Sequence, residues 1–146
     1  MPVDAPPILV VEDDDLVRSF LCRALAGVAG EVDGCSTGAI AMAAVDRRAY
    51  GAILLDGLLP DIHGVELGKR MIEHANAAHS GICLVSGSLR RAVPIRGGVS
   101  ALPKPLRVLE LTAAVEKLLA WHTAAVDAIH ERRAALDVLG ADLLVG

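Results

Sequence analysis

Short apolar runs alternate along this chain with longer segments in which apolar residues recur every three to four positions. Continuous apolar runs of four to eight residues are typical of strands that are buried on both faces. The three-to-four spacing is typical of helices with one buried face. The predicted strands cover residues 8–11, 31–35, 52–55, 82–86 and 99–102. The predicted helices cover residues 16–27, 37–48, 65–76 and a long stretch from 106 onward.

This alternation predicts an α/β fold with a doubly wound, five-stranded parallel sheet, right-handed crossovers and helices on both faces. Ligands in such folds bind beyond the carboxyl ends of the strands. Three carboxylates lie at predicted strand ends: Glu12, Asp13 and Asp56. The segment 87–98 contains Pro94 and two glycines, so at most a short helix is expected there.

The composition of the chain narrows the range of possible functions further. A chain of 146 residues is about one domain, and its net charge of -4 without a long basic run argues against direct DNA binding. The three cysteines are far apart in apolar stretches, which favours reduced thiols in a cytoplasmic protein. The first residues do not resemble a secretion signal, and no apolar run approaches the ~20 residues that span a bilayer. We therefore expect a cytoplasmic protein without membrane contact.

Carboxylates crowded at strand ends repel one another unless a cation lies among them, and their hard oxygens suit Mg²⁺. One of these carboxylates can also act as a nucleophile toward phosphorus. Lys104, at the end of the last predicted strand, can bind an oxygen of the transferred phosphoryl group. Ser86, at the end of the fourth strand, can donate its hydroxyl to another, and Gly87 leaves the approach to Asp56 open.

Four segments together resemble the receiver domain of two-component response regulators. They are ILVVEDDDLVR, LLDGLLPDIHG, ICLVSG and the pair Lys104-Pro105, and the resemblance covers roughly residues 8–121. Each motif is weak alone, but all four occur in the family's order and each lies at a strand end. The resemblance implies a CheY-like, flavodoxin-like sheet with strand order 2-1-3-4-5.

The resemblance also implies the chemistry. The implied roles are a metal-binding acid pair at Glu12 and Asp13, the phosphoacceptor at Asp56, a backbone carbonyl ligand at Leu58, a phosphate-binding hydroxyl at Ser86 and an ion pair from Lys104. The implied cofactor is Mg²⁺, and the implied phosphodonor is a sensor histidine kinase or phosphotransfer protein. Such a domain catalyses only its own phosphotransfer and dephosphorylation and is not otherwise an enzyme.

The choice of Glu12 and Asp13 as the acid pair, rather than Asp13 and Asp14, depends on Arg18. The family usually has a basic or polar residue five positions after the second acid, and Arg18 stands five after Asp13. Asp14 and Asp15 are then expected to begin the first helix, where acids complement its dipole.

Four departures from the family pattern affect the output more than the chemistry. The usual aromatic residue three positions before the lysine is Ala101 here, which has no rotamer to switch. The segment between Ser86 and Lys104 is about one helical turn short, so the fourth helix is expected to be short or absent. Pro103 favours an edge position for strand five. His63 replaces an Asp or Asn and is expected to cap helix three.

Alternative functions remain open at this point. A phosphatase of the haloacid dehalogenase type also forms an aspartyl phosphate, but that family has a D-x-D motif on its first strand. A nucleotide-binding flavodoxin-like protein would have a glycine-rich loop where this chain has four acids. The main alternative is a pseudo-receiver, a binding module that works without phosphorylation. A doubly wound domain without chemistry would leave the serine and lysine positions as coincidences.

The C-terminal residues extend beyond the family pattern. We expect a receiver over residues 1–121 and a helical extension over 122–146. The spacing of apolar residues favours either a coiled coil that forms a homodimer or a separate helix folded back over the face left by the short fourth helix. Both alternatives bury Ile129, Leu136 and Leu139. Because no DNA-binding or catalytic segment follows, the signal is expected to pass to a downstream protein partner or to be relayed as phosphate.

Overall fold

The computed structural model describes residues 5–124 and 128–143, apart from the side chains of residues 142 and 143. The strands of this part are β1 (Ile8–Val11), β2 (Val32–Cys35), β3 (Ala52–Asp56), β4 (Gly81–Ser86), β5 (Val93–Arg96) and β6 (Val99–Pro103). Its α-helices are α1 (Asp15–Leu25), α2 (Gly38–Arg47), α3 (Gly64–Ile72), α4 (Val108–Ala124) and α5 (Ile129–Leu143). A 3₁₀ turn (Ala75–Ala77) follows α3, where a longer helix to residue 76 was predicted.

The strands form one sheet in the order β2-β1-β3-β4-β6-β5. All neighbours are parallel except β5 and β6, which are antiparallel. The parallel strands confirm the predicted fold class and the order 2-1-3-4-5, with β6 as the fifth parallel strand. Leu55 of β3 lies beside both Val11 of β1 and Leu84 of β4, so the residues that follow these strands meet at one edge of the sheet.

Alternate residues of the strands face two separate apolar clusters. On one face, Ile8 and Val10 pack in a cluster that α1 and α4 cover. On the other face, Leu9 and Val11 pack in a cluster covered by α2, α3 and α5. The cysteines are unpaired, as expected, and Cys83 is fully buried in the first cluster. The central strands are therefore held between two helical layers, which fixes their carboxyl ends.

The fourth helix, which was expected to be short or absent, is absent from residues 87–98, all of which the structure describes, and strand β5 lies in that segment. Gly97 and Gly98 connect β5 to β6 with φ values of 57° and 71°. Both values lie in the left-handed region that glycine adopts without strain, and they suit a two-residue hairpin turn. The sequence contained this signal, because a Gly-Gly pair between two β-branched runs favours a hairpin.

The prediction that the strand before Lys104 lies at the sheet edge is wrong, because β5 occupies the edge. Pro103 is nevertheless tolerated in β6. Lys104 N donates to Ser86 O at 3.0 Å, so the nitrogen of the preceding residue, Pro103, faces away from β4. On that side, pairing with β5 extends only to Ala101, so the proline removes no ladder hydrogen bond.

The C-terminal extension contains a separate helix folded back onto the sheet. Helix α4 ends at Ala124, and α5 packs against α3, β5 and β6. Leu136 and Leu139 are fully buried in the cluster beneath α2 and α3, and Ile129 packs against it. Helix α5 thus covers the face that lacks a fourth helix, which is the folded-back alternative rather than a continuous coiled-coil helix. No helix among the described residues is both long and apolar enough to cross a membrane.

Candidate functional site

Three carboxylates meet at the carboxyl edge of the sheet. Glu12 and Asp13 follow β1, and Asp56 is the last residue of the adjacent strand β3. One oxygen from each of these side chains lies within 4.8 Å of the others. Glu12 and Asp56 are buried, whereas Asp13 is exposed. The strand register therefore brings together the carboxylates that the sequence placed at the strand ends.

Lys104 supplies a cation to this cluster. Its Nζ lies 3.2 Å from Asp56 Oδ1 and 3.6 Å from Glu12 Oε1. Lys104 directly follows β6, and its backbone N–H donates to Ser86 O at the end of β4. The Lys104-Pro105 peptide bond is cis. The ends of β4 and β6 thus hold the ammonium group against the carboxylates at the ends of β1 and β3.

The electrostatics of the cluster follow from partial burial of like charges. Burial, reinforced by the neighbouring Asp56 carboxylate, raises the pKa of Glu12 to about 7. Partial burial opposes the charge on Lys104, but the carboxylates of Asp56 and Glu12 outweigh it and raise the pKa of Lys104 above its ordinary value. One ammonium group therefore does not fully compensate three carboxylates, and the cluster favours a further cation.

The donor set fits a hard divalent cation. The three side chains offer carboxylate oxygens, which Mg²⁺ prefers, and these oxygens are close enough to share one ion. The Leu58 amide donates to Asp56 Oδ1 at 3.3 Å, so the loop that carries the Leu58 carbonyl folds over the same carboxylate. The Leu58 side chain itself is exposed.

Ser86 and two glycines border Asp56. Ser86 ends β4, and its Oγ accepts the amide of Ser88 at 3.1 Å. A Cβ atom on Gly57 would lie 3.2 Å from Ser86 Cβ, so glycine allows the two loops to approach. A Cβ atom on Gly64 would overlap the backbone carbonyl of Asp56. Gly87 has open space around it. Glycine at positions 57 and 64 therefore lets the chain pass close to Ser86 and to the backbone of Asp56.

Arg18 and Asp14 fix the loop after β1. Arg18 Nη1 donates to the backbone carbonyl of Glu12 at 2.9 Å, and its other nitrogen pairs with Asp15 at 2.6 Å. Asp14 accepts the amides of Leu16 and Val17, both at 3.0 Å, as the N-cap of α1. Asp14 therefore begins the helix as expected, while its two preceding acids face Asp56.

Two residues that depart from the family pattern have structural surroundings that the sequence did not predict. His63 occupies the position before α3 but makes no capping hydrogen bond with its side chain, so that expectation is wrong. Asp61, two residues earlier, instead accepts the amides of Gly38 and Ala39 at the start of α2. Ala101 is fully buried and pairs with Val93 of β5, a strand that the sequence analysis did not predict.

Comparison with known sequences gives one consistent result. Residues 8–116 match the sequence profile of the response regulator receiver domain. The receiver protein CpdR of Brucella abortus is 28% identical over 116 residues, which cover 77% of this chain and 95% of CpdR. The transcriptional regulatory protein TcrA of Mycobacterium tuberculosis is 44% identical over 64 residues, covering 44% of this chain and 25% of TcrA. Against TcrA and the activator PfeR of Pseudomonas aeruginosa, the chain spans 25% and 39% of their length.

Solved structures agree in fold. A sensor protein from Polaromonas sp. JS666 is 27% identical with a TM-score of 0.67, covering 80% of this chain and 98% of the other. The receiver domain of the sensor histidine kinase PA1611 from Pseudomonas aeruginosa has the same TM-score and coverage at 22% identity. That structure has a magnesium ion coordinated in its active site cleft.

Proposed function

This chain belongs to the response regulator receiver family, and from that membership we propose that it accepts a phosphoryl group on Asp56 in a Mg²⁺-dependent reaction. The observation that carries the proposal is the position of the Asp56 carboxylate. It lies within 4.8 Å of two further carboxylates and 3.2 Å from Lys104 Nζ. A nucleophile, a cation site and a fixed ammonium group are the elements that phosphoryl transfer to a carboxylate needs.

The residues of this chain have distinct parts in the transfer. A carboxylate oxygen of Asp56 forms a bond to phosphorus, while the bond from phosphorus to the donor's histidine nitrogen breaks and its electron pair stays on that nitrogen. Lys104 binds one oxygen of the arriving group, and the Ser86 hydroxyl donates to another. Lys104 therefore exchanges its ion pair with Asp56 for one with the phosphoryl group. The Lys104 side chain is partly exposed, so an arriving phosphoryl group can reach its ammonium.

Glu12, Asp13, Asp56 and the Leu58 carbonyl would hold the magnesium ion. The ion supplies positive charge that offsets the charge on the phosphoryl oxygens. The Glu12 carboxyl fits this assignment, because its pKa is raised by burial and by the neighbouring Asp56, and a cation beside it would favour the ionised form. The magnesium in the receiver of PA1611 supports the same cofactor.

The phosphodonor in this proposal is a sensor histidine kinase or a phosphotransfer protein. Exposed apolar side chains lie on the first turns of the two helices that begin beside the site: Leu16 is 84% exposed on α1 and Leu109 is 84% exposed on α4. Such residues suit a docking protein that delivers its phosphohistidine to Asp56. The protein acts on no other substrate and catalyses only its own phosphorylation and dephosphorylation.

The output in this proposal is contact with a downstream protein or relay of the phosphoryl group. We divide the chain into a receiver of residues 1–121 and an extension of residues 122–146. The family match ends at residue 116, which supports this division. Helix α5 of the extension nevertheless contributes to the same apolar cluster as the receiver, so we propose it as a fixed cover rather than an independent domain.

Phosphorylation by acetyl phosphate tests this function. We expect the purified protein to acquire one phosphoryl group in the presence of Mg²⁺ and none in excess chelator. Lys104→Ala should still bind Mg²⁺ but should be phosphorylated far more slowly, with Lys117→Ala, elsewhere on the surface, as the matched control. A protein that never acquires phosphate, yet binds a partner equally with and without Mg²⁺, would instead be a pseudo-receiver.

A further inference from the structure

Residues 57–63 join β3 to α3 and carry the Leu58 carbonyl that the proposed function assigns to the metal. This loop is a narrow hairpin, in which Leu58 pairs with His63 and Leu59 N donates to Ile62 O at 3.3 Å. The Leu58 side chain is 65% exposed, so it does not hold its own backbone in place. The position of the Leu58 carbonyl therefore depends on the contacts that the neighbouring residues of the hairpin make.

Asp61 lies at the tip of this hairpin and binds the start of helix α2. Its Oδ1 accepts the amide of Gly38 and its Oδ2 accepts the amide of Ala39, each at 2.9 Å. These are the first two amides of α2, which have no partner within the helix. The positive end of the helix dipole favours the carboxylate further. One charged side chain thus ties the loop to amides that lie 23 and 22 residues earlier in the chain.

The loop and the helix fit closely where they meet. A Cβ atom on Gly38 would overlap the side chain of Ile62, so glycine at this position lets the loop reach the helix. Helix α2 is itself packed on the core, because Ala41 and Val45 are buried in the same apolar cluster that Ile62 contacts. At the other end of the helix, Asn76 Nδ2 donates to Val45 O at 2.9 Å. Asp61 therefore anchors the loop to a support that is held in place along its length.

We propose that Asp61 is a positioning residue for the magnesium site. A magnesium site needs its ligands in a nearly octahedral arrangement, and groups that orient those ligands from outside affect the metal affinity. Asp61 acts through Leu58 rather than as a ligand, because it holds the hairpin on α2 and thereby fixes the Leu58 carbonyl beside Asp56. The inference rests on the proposed function, which assigns that carbonyl to Mg²⁺.

Titration of the unphosphorylated protein with MgCl₂ tests the proposal. The dissociation constant is measured by NMR from the amide signals around Asp56. Asp61→Ala removes both acceptor oxygens and should weaken Mg²⁺ binding about tenfold. Asp61→Asn keeps one acceptor oxygen, so its affinity should lie between those of the wild type and Asp61→Ala.

Thr37→Ala is the matched control. Thr37 Oγ1 accepts the amide of Ile40 at 3.1 Å, so this variant removes a hydrogen bond from the same helix start but none from the loop. In chelator, both Thr37→Ala and Asp61→Ala should melt below the wild type, whereas only the Asp61 variants should lose affinity for Mg²⁺. Hydrogen exchange of the Leu59 amide in the metal-free protein should accelerate in Asp61→Ala and stay unchanged in Thr37→Ala.

Two results overturn the proposal while leaving the proposed function intact. One is a wild type and an Asp61→Ala variant that bind Mg²⁺ equally well, and the other is a Thr37→Ala variant that loses as much affinity as Asp61→Ala. A wild type that binds no Mg²⁺ would refute the proposed function together with this inference. If Asp61→Ala does not fold, Asp61→Asn against Thr37→Ala gives the same comparison.

Discussion

The guanidinium carbon of Arg132 lies 4.5 Å from the ring centre of Trp121, which joins helix α5 to the end of α4. Arg132 is fully buried, and its Nη1 donates to Gly97 O at 2.9 Å while its Nη2 donates to Ser80 O. Burial lowers the pKa of Arg132 to about 10, so the side chain stays protonated at neutral pH. This single cation therefore links α5 to the hairpin turn and to the residue before β4.

Replacing Arg132 should destabilise the fold. Arg132→Met keeps much of the apolar stem but leaves two buried carbonyls without donors, at a cost of about 1–3 kcal/mol for each group. Relief of the buried charge offsets part of that cost, so we expect a net loss of about 2 kcal/mol in the free energy of unfolding. Arg132→Lys should not restore stability, because an ammonium group lacks the planar, two-pronged geometry.

Arg133→Ala is the matched control. The neighbouring Arg133 pairs with Glu73 at 3.1 Å, but both side chains are about half exposed or more. Its removal should cost less than about 1 kcal/mol. Urea unfolding curves measure all three variants. An Arg132→Met protein as stable as Arg133→Ala would show that the buried guanidinium contributes little.

Helix α5 should contribute to stability through its apolar side. Leu136 is fully buried and contacts the surface of α3 at Gly68. Leu136→Ala should lower the free energy of unfolding by about 2–4 kcal/mol, because it removes buried methyl groups and leaves a cavity. Val138 is 56% exposed on the same helix, so Val138→Ala should change stability by less than about 0.5 kcal/mol. Thermal and urea unfolding measure both variants. Equal losses of stability in Leu136→Ala and Val138→Ala would mean that α5 is not packed on the sheet.

Asp61 should make stability depend on acid pH. The amides of Gly38 and Ala39, each 2.9 Å from an Asp61 oxygen, hold the pKa of this carboxyl below its usual 3.8. A lowered pKa in the folded state stabilises the protein above the unfolded pKa, and this contribution is lost as pH falls through the folded pKa. We expect Asp61→Asn to melt below the wild type at pH 7. The difference should shrink below about pH 4.

The control for Asp61 is Glu116→Gln, which removes an exposed carboxylate from α4. Its melting temperature should follow the wild type at both pH values. A difference between Asp61→Asn and wild type that stays constant from pH 7 to acid would rule out the charged hydrogen bonds as its cause.

Magnesium should stabilise the wild-type protein through the acid cluster. At an ion concentration tenfold above its dissociation constant, binding adds about 1.4 kcal/mol to the free energy of unfolding. Asp13→Asn removes one of three neighbouring carboxylates, so it should raise the melting temperature without metal and abolish the increment with Mg²⁺. Asp46→Asn, which removes an exposed carboxylate outside the cluster, should keep the increment. A variant Asp13→Asn that still gains stability from Mg²⁺ would contradict the site.

The sequence predicted the centre of the parallel sheet because β1, β3 and β4 contain continuous apolar runs, and acids end the runs of β1 and β3. Because carboxyl ends of parallel strands meet at one edge, the proximity of Glu12, Asp13 and Asp56 followed from the strand assignment alone. Lys104 and Ser86 were placed by the same reasoning. Nothing beyond the ends of the strands was needed to predict which side chains gather there.

The edge of the sheet could not be predicted in the same way. Strand β5 contains Pro94 and Arg96 among its four residues, so it is not a continuous apolar run, and its only signal is the Gly97-Gly98 pair that follows it. Asp61 accepts an amide at the start of α2, and this contact joins segments that are far apart in sequence. Local sequence patterns therefore could not predict it. The burial of Arg132 is equally non-local, because a charged residue at a helical position gives no indication that Trp121 and two carbonyls surround it.

Mapping the phosphorylated residue tests the central claim most directly. The protein is incubated with acetyl phosphate and Mg²⁺, the acyl phosphate is reduced with borohydride, and the digested peptides are sequenced by mass spectrometry. The account predicts homoserine at position 56 in the wild type, and no reduced residue in Asp56→Asn. Reduction at Asp13 or another acid with Asp56 unchanged, or equal labelling of wild type and Asp56→Asn, would contradict it.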